Sequence, residues 1–147
     1  MKHLIIICSI LFISFPVKSA ERYDDIKKKI ANSNASVFVD GFREIIMAYD
    51  LESGFVKDCL ASVKLTKKLP TKECSRVYDR GKGLTNLSSI ISSSNFKNNL
   101  LKVASNIDAN KGNITKKDIE KLTQDFDKSF NDFNSLTKEL NFVLANL

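Results

Sequence analysis

The last segment of the chain, from Thr115 to Leu147, limits most strongly how this sequence can fold. Its apolar residues recur at steps of three or four, which places them along one side of an α-helix. They are Ile119, Leu122, Phe126, Phe130, Phe133, Leu136, Leu140, Val143 and Leu147. No glycine or proline interrupts the pattern, and Thr115 with Asp118 forms a candidate capping box. We therefore predict a helix roughly 45 Å long, whose apolar stripe other helices must cover.

The start of the chain has the composition of an export signal. A short basic stretch precedes an apolar run from Leu4 to Phe15, which Pro16 ends. We predict cleavage after Ser19, with Ala20 as the close alternative, because small and β-branched residues stand at the positions that signal peptidase recognises. The run is about twelve residues long, shorter than the roughly twenty that span a bilayer, and no later segment is a candidate span. We expect a signal peptide at 1–19 and a secreted or periplasmic protein made of residues 20–147.

Cleavage at this position leaves two cysteines, Cys59 and Cys74. An even pair in an oxidising compartment predicts a disulfide, with two free buried thiols as the alternative. Closing a loop of about fifteen residues contributes roughly 3 kcal/mol in the chain-entropy model. The predicted bridge would clamp two successive helices into a hairpin.

The residues between the leader and the final helix predict a series of shorter helices. Their expected ranges are 21–30, 36–50, 55–68, 71–80, 84–91 and 95–107. Ser36 is the expected N-cap of the second helix, and Glu52–Gly54 is expected to separate the second from the third. Gly41 should admit a neighbouring helix closely. With only 5 glycines and 2 prolines, the chain predicts a single all-α domain, a small bundle of five to seven helices with one disulfide.

The predicted mature chain lacks most residues of common catalytic sites. Its only histidine, His3, lies in the leader, so the commonest general base and metal ligand is removed. The sequence contains no nucleophile elbow, no glycine-rich phosphate loop and no Cys-x-x-Cys motif. We therefore expect a protein that is not an enzyme. An enzyme that uses carboxylates alone is the remaining alternative.

Basic residues are concentrated between Lys57 and Lys82. This segment has eight basic and three acidic residues, an excess larger than the four of the whole mature chain. The candidate docking face consists of Lys67, Lys68, Lys72, Arg76, Arg80 and Lys82. It predicts attraction to an acidic protein surface, anionic lipid headgroups or an envelope polyanion, and an ordinary soluble face is the alternative. Nucleic acid is not expected, because aromatic residues do not alternate with the basic ones.

The segment from Asp108 to Ile114 resembles a shortened EF-hand calcium loop. Asp108, Asn110 and Asp118 would be the oxygen ligands, and a glycine provides the turn. One ligand position is missing, and Asp118 replaces the usual bidentate glutamate, so we expect at most weak calcium binding and no other cofactor. Asp50–Val56 has the same shortened pattern. The alternative is that both are ordinary connections between helices.

Together these features predict an exported binding protein that docks an acidic macromolecule through a basic helical hairpin. An inhibitor or an immunity-type partner would act in this way. The alternative is a carrier of lipid or another hydrophobic ligand, in which the apolar faces of the helices open around the ligand. The sequence does not identify the partner.

Overall fold

The computed structural model describes residues 23–68, 72–77, 91, 94–107 and 113–147. Apart from the single helical residue 91, these ranges contain five helical segments and no strand. They are α1 (23–30), α2 (Ala35–Thr66), α3 (72–77), α4 (Ser94–Ile107) and α5 (Lys116–Ala145). The predicted all-α bundle is confirmed. The predicted leader at 1–19 and most of the predicted helix at 84–91 lie outside the described residues.

The final helix begins as its sequence predicts. The backbone N–H of Asp118 donates to Thr115 Oγ1 at 3.2 Å, and the N–H of Thr115 donates to the Asp118 carboxylate at 2.7 Å. The capping box is therefore confirmed. The fully buried apolar residues of the stripe are Ile119, Leu122 and Leu140. Leu147 was expected in the stripe but is 52% exposed, because α5 ends at Ala145.

Helix α2 is one continuous helix of 32 residues where the sequence predicts two. The expected break at Glu52–Gly54 is wrong, and the loop-like pattern at Asp50–Val56 is wrong for the same reason. Tyr49 and Val56 are seven residues apart and both face the core, so continuing the helix keeps both buried. That burial outweighs the roughly 1 kcal/mol that a glycine costs in a helix interior.

The first turn of α2 also differs from the prediction. Asn34, not Ser36, is the N-cap. Its side-chain oxygen accepts hydrogen bonds from the backbone N–H of Ser36 at 2.9 Å and of Val37 at 3.3 Å. Asparagine caps helices as well as serine does, so sequence alone does not distinguish two polar residues this close together.

Helix α1 packs closely against α2 at Gly41. A Cβ atom on Gly41 would lie 2.7 Å from Cβ of Lys29 and 3.3 Å from the backbone nitrogen of Ile30. The predicted role of this glycine in a close helix contact is confirmed. Beside it, the Lys29 ammonium lies 2.7 Å from the carboxylates of Asp25 and Glu44. The hydrogen bonds that the ammonium donates to Asp25 and then to Glu44 raise the pKa of Lys29.

The two long helices, α2 and α5, run parallel. Their successive contacts are Phe42 with Phe126 (ring centroids 5.8 Å apart), Ser129 Oγ donating to Asp50 at 2.5 Å, and an ion pair between Lys64 and Glu139. Residue numbers rise together in both helices, which defines a parallel pair. Both carboxyl ends therefore lie at one end of the bundle, and both amino ends lie at the other.

Helix α4 packs against the amino-terminal part of α2. Near its start, the Phe96 ring centroid lies 6.0 Å from that of Phe38 and 5.4 Å from that of Phe42. At its end, Ile107 lines a cleft together with Ala35, the first residue of α2. Ile114, which precedes α5, lines the same cleft, so the end of α4 lies near the amino ends of α2 and α5.

Two groups of buried residues hold these helices together. The first core joins α1, α2, α4 and α5, and its members include Ile26, Phe38, Phe42, Ile45, Tyr49 and Phe96. The second core joins α2, α3 and α5, and it consists of Val56, Cys59, Leu60, Val63, Cys74 and Leu140. Phe133 of α5 packs against both. The second core lies at the carboxyl ends of the long helices, where the sequence predicts the docking face.

Candidate docking surface

The hairpin that carries the predicted basic face is built on the disulfide. Cys59 of α2 and Cys74 of α3 are bonded, with their Cα atoms 4.6 Å apart, and both are buried in the second core. The predicted pairing is confirmed. A second link lies on the surface, where Ser62 Oγ donates to the Glu73 carboxylate at 3.2 Å. The short helix α3 is therefore held against the last turns of α2 by a covalent bond and a hydrogen bond.

The chain leaves α2 in a conformation that suits a hairpin. Lys67 is the C-cap residue and adopts the left-handed conformation with φ of 54°, and its N–H donates to the carbonyl oxygen of Val63 at 2.9 Å. Glycine is the usual residue there, so Lys67 adds a positive charge to the helix carboxyl end at a small conformational cost. The backbone N–H of Lys68 then donates to Thr66 Oγ1 at 3.4 Å.

Four of the six predicted docking residues lie in the described part of the chain. Lys67 and Lys68 follow α2, whereas Lys72 and Arg76 lie on α3, and all four are exposed. We call these four residues the basic end. The other two, Arg80 and Lys82, lie outside the described residues.

The charges of the basic end are largely unneutralised in the described ranges. There, the basic residues found in ion pairs are Lys29, Arg43 and Lys64, none of which belongs to the basic end. Glu73 lies beside the basic end on α3. Its own backbone N–H, the Ser62 hydroxyl and then the charges of Lys72 and Arg76 lower the pKa of its carboxyl. Glu73 is thus an acidic residue whose charged form is stabilised by the surrounding basic residues.

The structure adds apolar residues to this end that the sequence analysis missed. Leu65, in the last turn of α2, is 85% exposed, and Phe142, in the last turns of α5, is 71% exposed. Both lie off the buried stripes of their helices, and that position in the periodic pattern was the signal that could have identified them. The exposed Leu147 lies at the same end. Large apolar side chains that lie together and are rimmed by charged residues are typical of an interaction surface.

The predicted calcium ligands are only partly described. Asp108 and Asn110 lie outside the described residues, so the prediction of weak calcium binding remains a prediction. Asp118 is described, and its carboxylate accepts hydrogen bonds from the Thr115 N–H at 2.7 Å and hydroxyl at 2.6 Å. Within the described ranges, no group of three or more acidic, cysteine or histidine residues is arranged to hold a metal ion.

A cleft of about 370 Å³ lies at the opposite end of the bundle, between the start of α2, the end of α4 and the start of α5. The first backbone N–H groups of α2 and α5 face this end, but Asn34 and Thr115 accept hydrogen bonds from them. The cleft is therefore a less specific candidate than the basic end.

Comparison with protein-family models, curated proteins and solved structures finds no match to this chain. Within the described ranges, no helix has both the length and the apolar character needed to cross a bilayer. The function of the surface is therefore argued below from its own residues.

Proposed function

We propose that this chain is an exported, non-enzymatic binding protein whose basic end docks an acidic macromolecule. The observation that carries the proposal is the disulfide between Cys59 and Cys74. It fixes α3 against α2 and so holds the four cations of the basic end in one arrangement. A prearranged surface loses less conformational entropy on binding than a flexible segment with the same charges.

The charge of the basic end supports an acidic partner over a neutral one. Exposed cations on one surface attract acidic groups over roughly the Debye length, about 8 Å at physiological ionic strength. Such attraction speeds encounter and selects partners by the sign of their charge. The whole segment from Lys57 to Lys82 also has an excess of basic residues, and in the sequence this excess includes residues before and after α3.

The test compares charge reversals at the two ends of the bundle. Changing both Lys72→Glu and Arg76→Glu reverses two exposed cations of the basic end. The matched control changes Lys116→Glu and Lys117→Glu, two exposed lysines in the first turn of α5 at the opposite end. All of these side chains are exposed, so both variants should retain the fold, which circular dichroism and thermal unfolding would verify.

The readout is capture on an immobilised acidic polymer, polyglutamate, at low and high salt, together with affinity capture from the native compartment. We expect the reversal at the basic end to weaken polymer binding by at least about tenfold at low salt and to remove the captured partner. The control should behave as the unchanged protein does. Equal binding by the two variants would contradict the proposal.

A carrier of hydrophobic ligands remains the alternative prediction. In the described residues, however, the aromatic rings of α2, α4 and α5 pack on one another, with centroid distances of 5.4–6.1 Å. These contacts favour a filled core over a ligand cavity at that position. The docking proposal therefore has the stronger support.

A further inference from the structure

We infer that the acidic partner of the basic end is the surface of an anionic lipid bilayer, with Leu65 and Phe142 inserting at the interface. This inference rests on the proposed function and specifies its partner. The inference is based on the exposed apolar residues, because a partner that binds only by charge would not need them.

The ion pair between Lys64 and Glu139 places the two apolar residues at one crossing of the long helices. Leu65 directly follows Lys64 in α2, and Phe142 lies one turn beyond Glu139 in α5. Both residues therefore lie within one turn of this ion pair along their helices. Lys67 of the basic end is two residues beyond Leu65.

The second core leaves these two side chains outside. Leu140, Val143 and Leu144 of α5 pack against it, whereas Phe142 points away and is 71% exposed. In α2, Val63 is fully buried, whereas Leu65 is 85% exposed. Neither residue is needed to fill the interior, and both would bury apolar area only by contact with something else.

A bilayer surface satisfies both properties of this end. Exposed leucine and phenylalanine side chains can enter the boundary between headgroups and acyl chains, and lysines next to them are attracted by anionic headgroups. A soluble polyanion such as an acidic polysaccharide could pair with the cations, but it has no apolar region that could bury Leu65 and Phe142. The combination therefore favours a lipid surface over a soluble polyanion.

The experiment uses the purified, oxidised protein, with its N-terminus determined by mass spectrometry so that all variants share the same start. Cosedimentation is measured with vesicles of phosphatidylcholine alone and with vesicles that also contain phosphatidylglycerol. We expect binding to the anionic vesicles only, because a single cluster of cations supplies the initial attraction. No binding to the anionic vesicles would overturn the inference.

Insertion is tested by removing the two apolar side chains. Leu65→Ser with Phe142→Ser should weaken binding to anionic vesicles by at least about tenfold, because two apolar side chains no longer leave water. The control is Leu101→Ser. Leu101 is an exposed leucine (69% exposed) on α4, the helix that contributes Phe96 and Val103 to the first core. This control should bind as the unchanged protein does.

A fluorescence experiment tests insertion directly. The chain contains no tryptophan, so Leu65→Trp introduces a single indole reporter. Its emission should shift to the blue with anionic vesicles, because the indole moves from water into the interface. The emission of a Leu101→Trp protein should not change. Unshifted emission from the Leu65→Trp protein bound to vesicles would overturn insertion at this site.

The outcomes separate this inference from the proposed function. If Lys72→Glu with Arg76→Glu abolishes polyglutamate binding but Leu65→Ser with Phe142→Ser leaves vesicle binding unchanged, the bilayer inference fails and the docking proposal stands. If the serine substitutions instead convert a dimer into a monomer in analytical ultracentrifugation, a second copy of the chain covers the apolar residues, and the inference also fails. If neither polymer nor vesicle binding depends on the basic end, both proposals fail.

Discussion

Gly41 and Gly54 are both interior residues of α2, but their surroundings differ. A Cβ atom at Gly41 would overlap Cβ of Lys29, whereas a Cβ atom at Gly54 would meet nothing within 4 Å. The sequence gives the two positions similar helix propensities, since propensity depends on residue type alone. Only the packing of α1 against α2 distinguishes them.

We therefore predict opposite effects of the same substitution. Gly54→Ala should raise the free energy of unfolding by about 0.5–1 kcal/mol, because alanine restricts the unfolded chain without a clash. Gly41→Ala should lower it by about 1–3 kcal/mol, because α1 must move to accept the methyl group. Urea denaturation of the two variants measures both changes. A shift of the same sign in both would contradict this account of the α1–α2 contact.

Asp118 links the capping box to a pH dependence of stability. Hydrogen bonds from the Thr115 hydroxyl and backbone N–H lower the pKa of the Asp118 carboxyl from its ordinary value of 3.8. A carboxyl group whose pKa is lower in the folded state stabilises the fold above its ordinary pKa. That contribution is lost as the pH falls through the folded-state pKa.

The corresponding test is thermal unfolding at a series of pH values from neutral to well below 3.8. We expect Asp118→Asn to lower the unfolding temperature at neutral pH and to have a smaller effect at the acidic end of the series, where the native carboxyl is also uncharged. The control is Asp125→Asn, an exposed aspartate farther along α5. An Asp118→Asn effect that is independent of pH would contradict a role for the charged carboxylate.

At the scale of the helices, the continuity of α2 is the main difference from the sequence prediction. Gly54→Pro tests it, because proline lacks the N–H group and clashes with the preceding turn inside a helix. We expect a loss of about 3 kcal/mol or more in the free energy of unfolding. At a break between two helices, the same substitution would cost little. The Gly54→Ala protein is the control, since it shares the site and keeps the backbone donor.

Periodicity predicted most of the helices because it reports which side of each helix is covered. The capping box of α5, the disulfide and the close contact at Gly41 follow from local residue chemistry and were predicted correctly. The break at Glu52–Gly54 was predicted from a segment that contains Ser53 and Gly54, and it was wrong because α5 packs alongside the full length of this region. Burial across a long helix pair is a tertiary effect that single residues do not reveal.

The candidate surface was predicted only in part, for a related reason. The cations of the basic end could be found by counting charges along the chain. Counting charges does not find the exposed Leu65 and Phe142, which are recognised instead by their positions off the buried stripe of each helix. Sequence reasoning thus recovered the charge of the surface but missed its apolar component.

At the scale of the whole molecule, the parallel arrangement of α2 and α5 determines what can meet at one end. Parallel neighbours place both carboxyl ends together, and the disulfide attaches α3 to the carboxyl-terminal part of α2. As a result, Lys67 of α2, Arg76 of α3 and Phe142 of α5 belong to the same end although they are far apart in sequence. The disulfide is the covalent link between two of these three helices.

This arrangement predicts a localised effect of removing the disulfide. The substitutions Cys59→Ala and Cys74→Ala together should lower the free energy of unfolding by roughly 3 kcal/mol, because the unfolded chain is no longer constrained by the loop. Alanine avoids placing two uncompensated hydroxyl groups in the second core. Urea denaturation of the oxidised protein and the double variant measures the difference.

The same variant should affect the two cores differently. Amide hydrogen exchange should become faster in α3 and in the last turns of α2, around Val63, because the disulfide is the covalent link between the six described residues of α3 and α2. The first core, around Phe42, should keep its protection, since it joins α1, α2, α4 and α5 without using the disulfide.

Binding to polyglutamate should weaken in parallel, because the cations of α3 lose their fixed position relative to Lys67 and Lys68. Equal loss of protection in both cores would contradict this division, and unchanged binding by the double variant would show that the fixed arrangement of the basic end is not required.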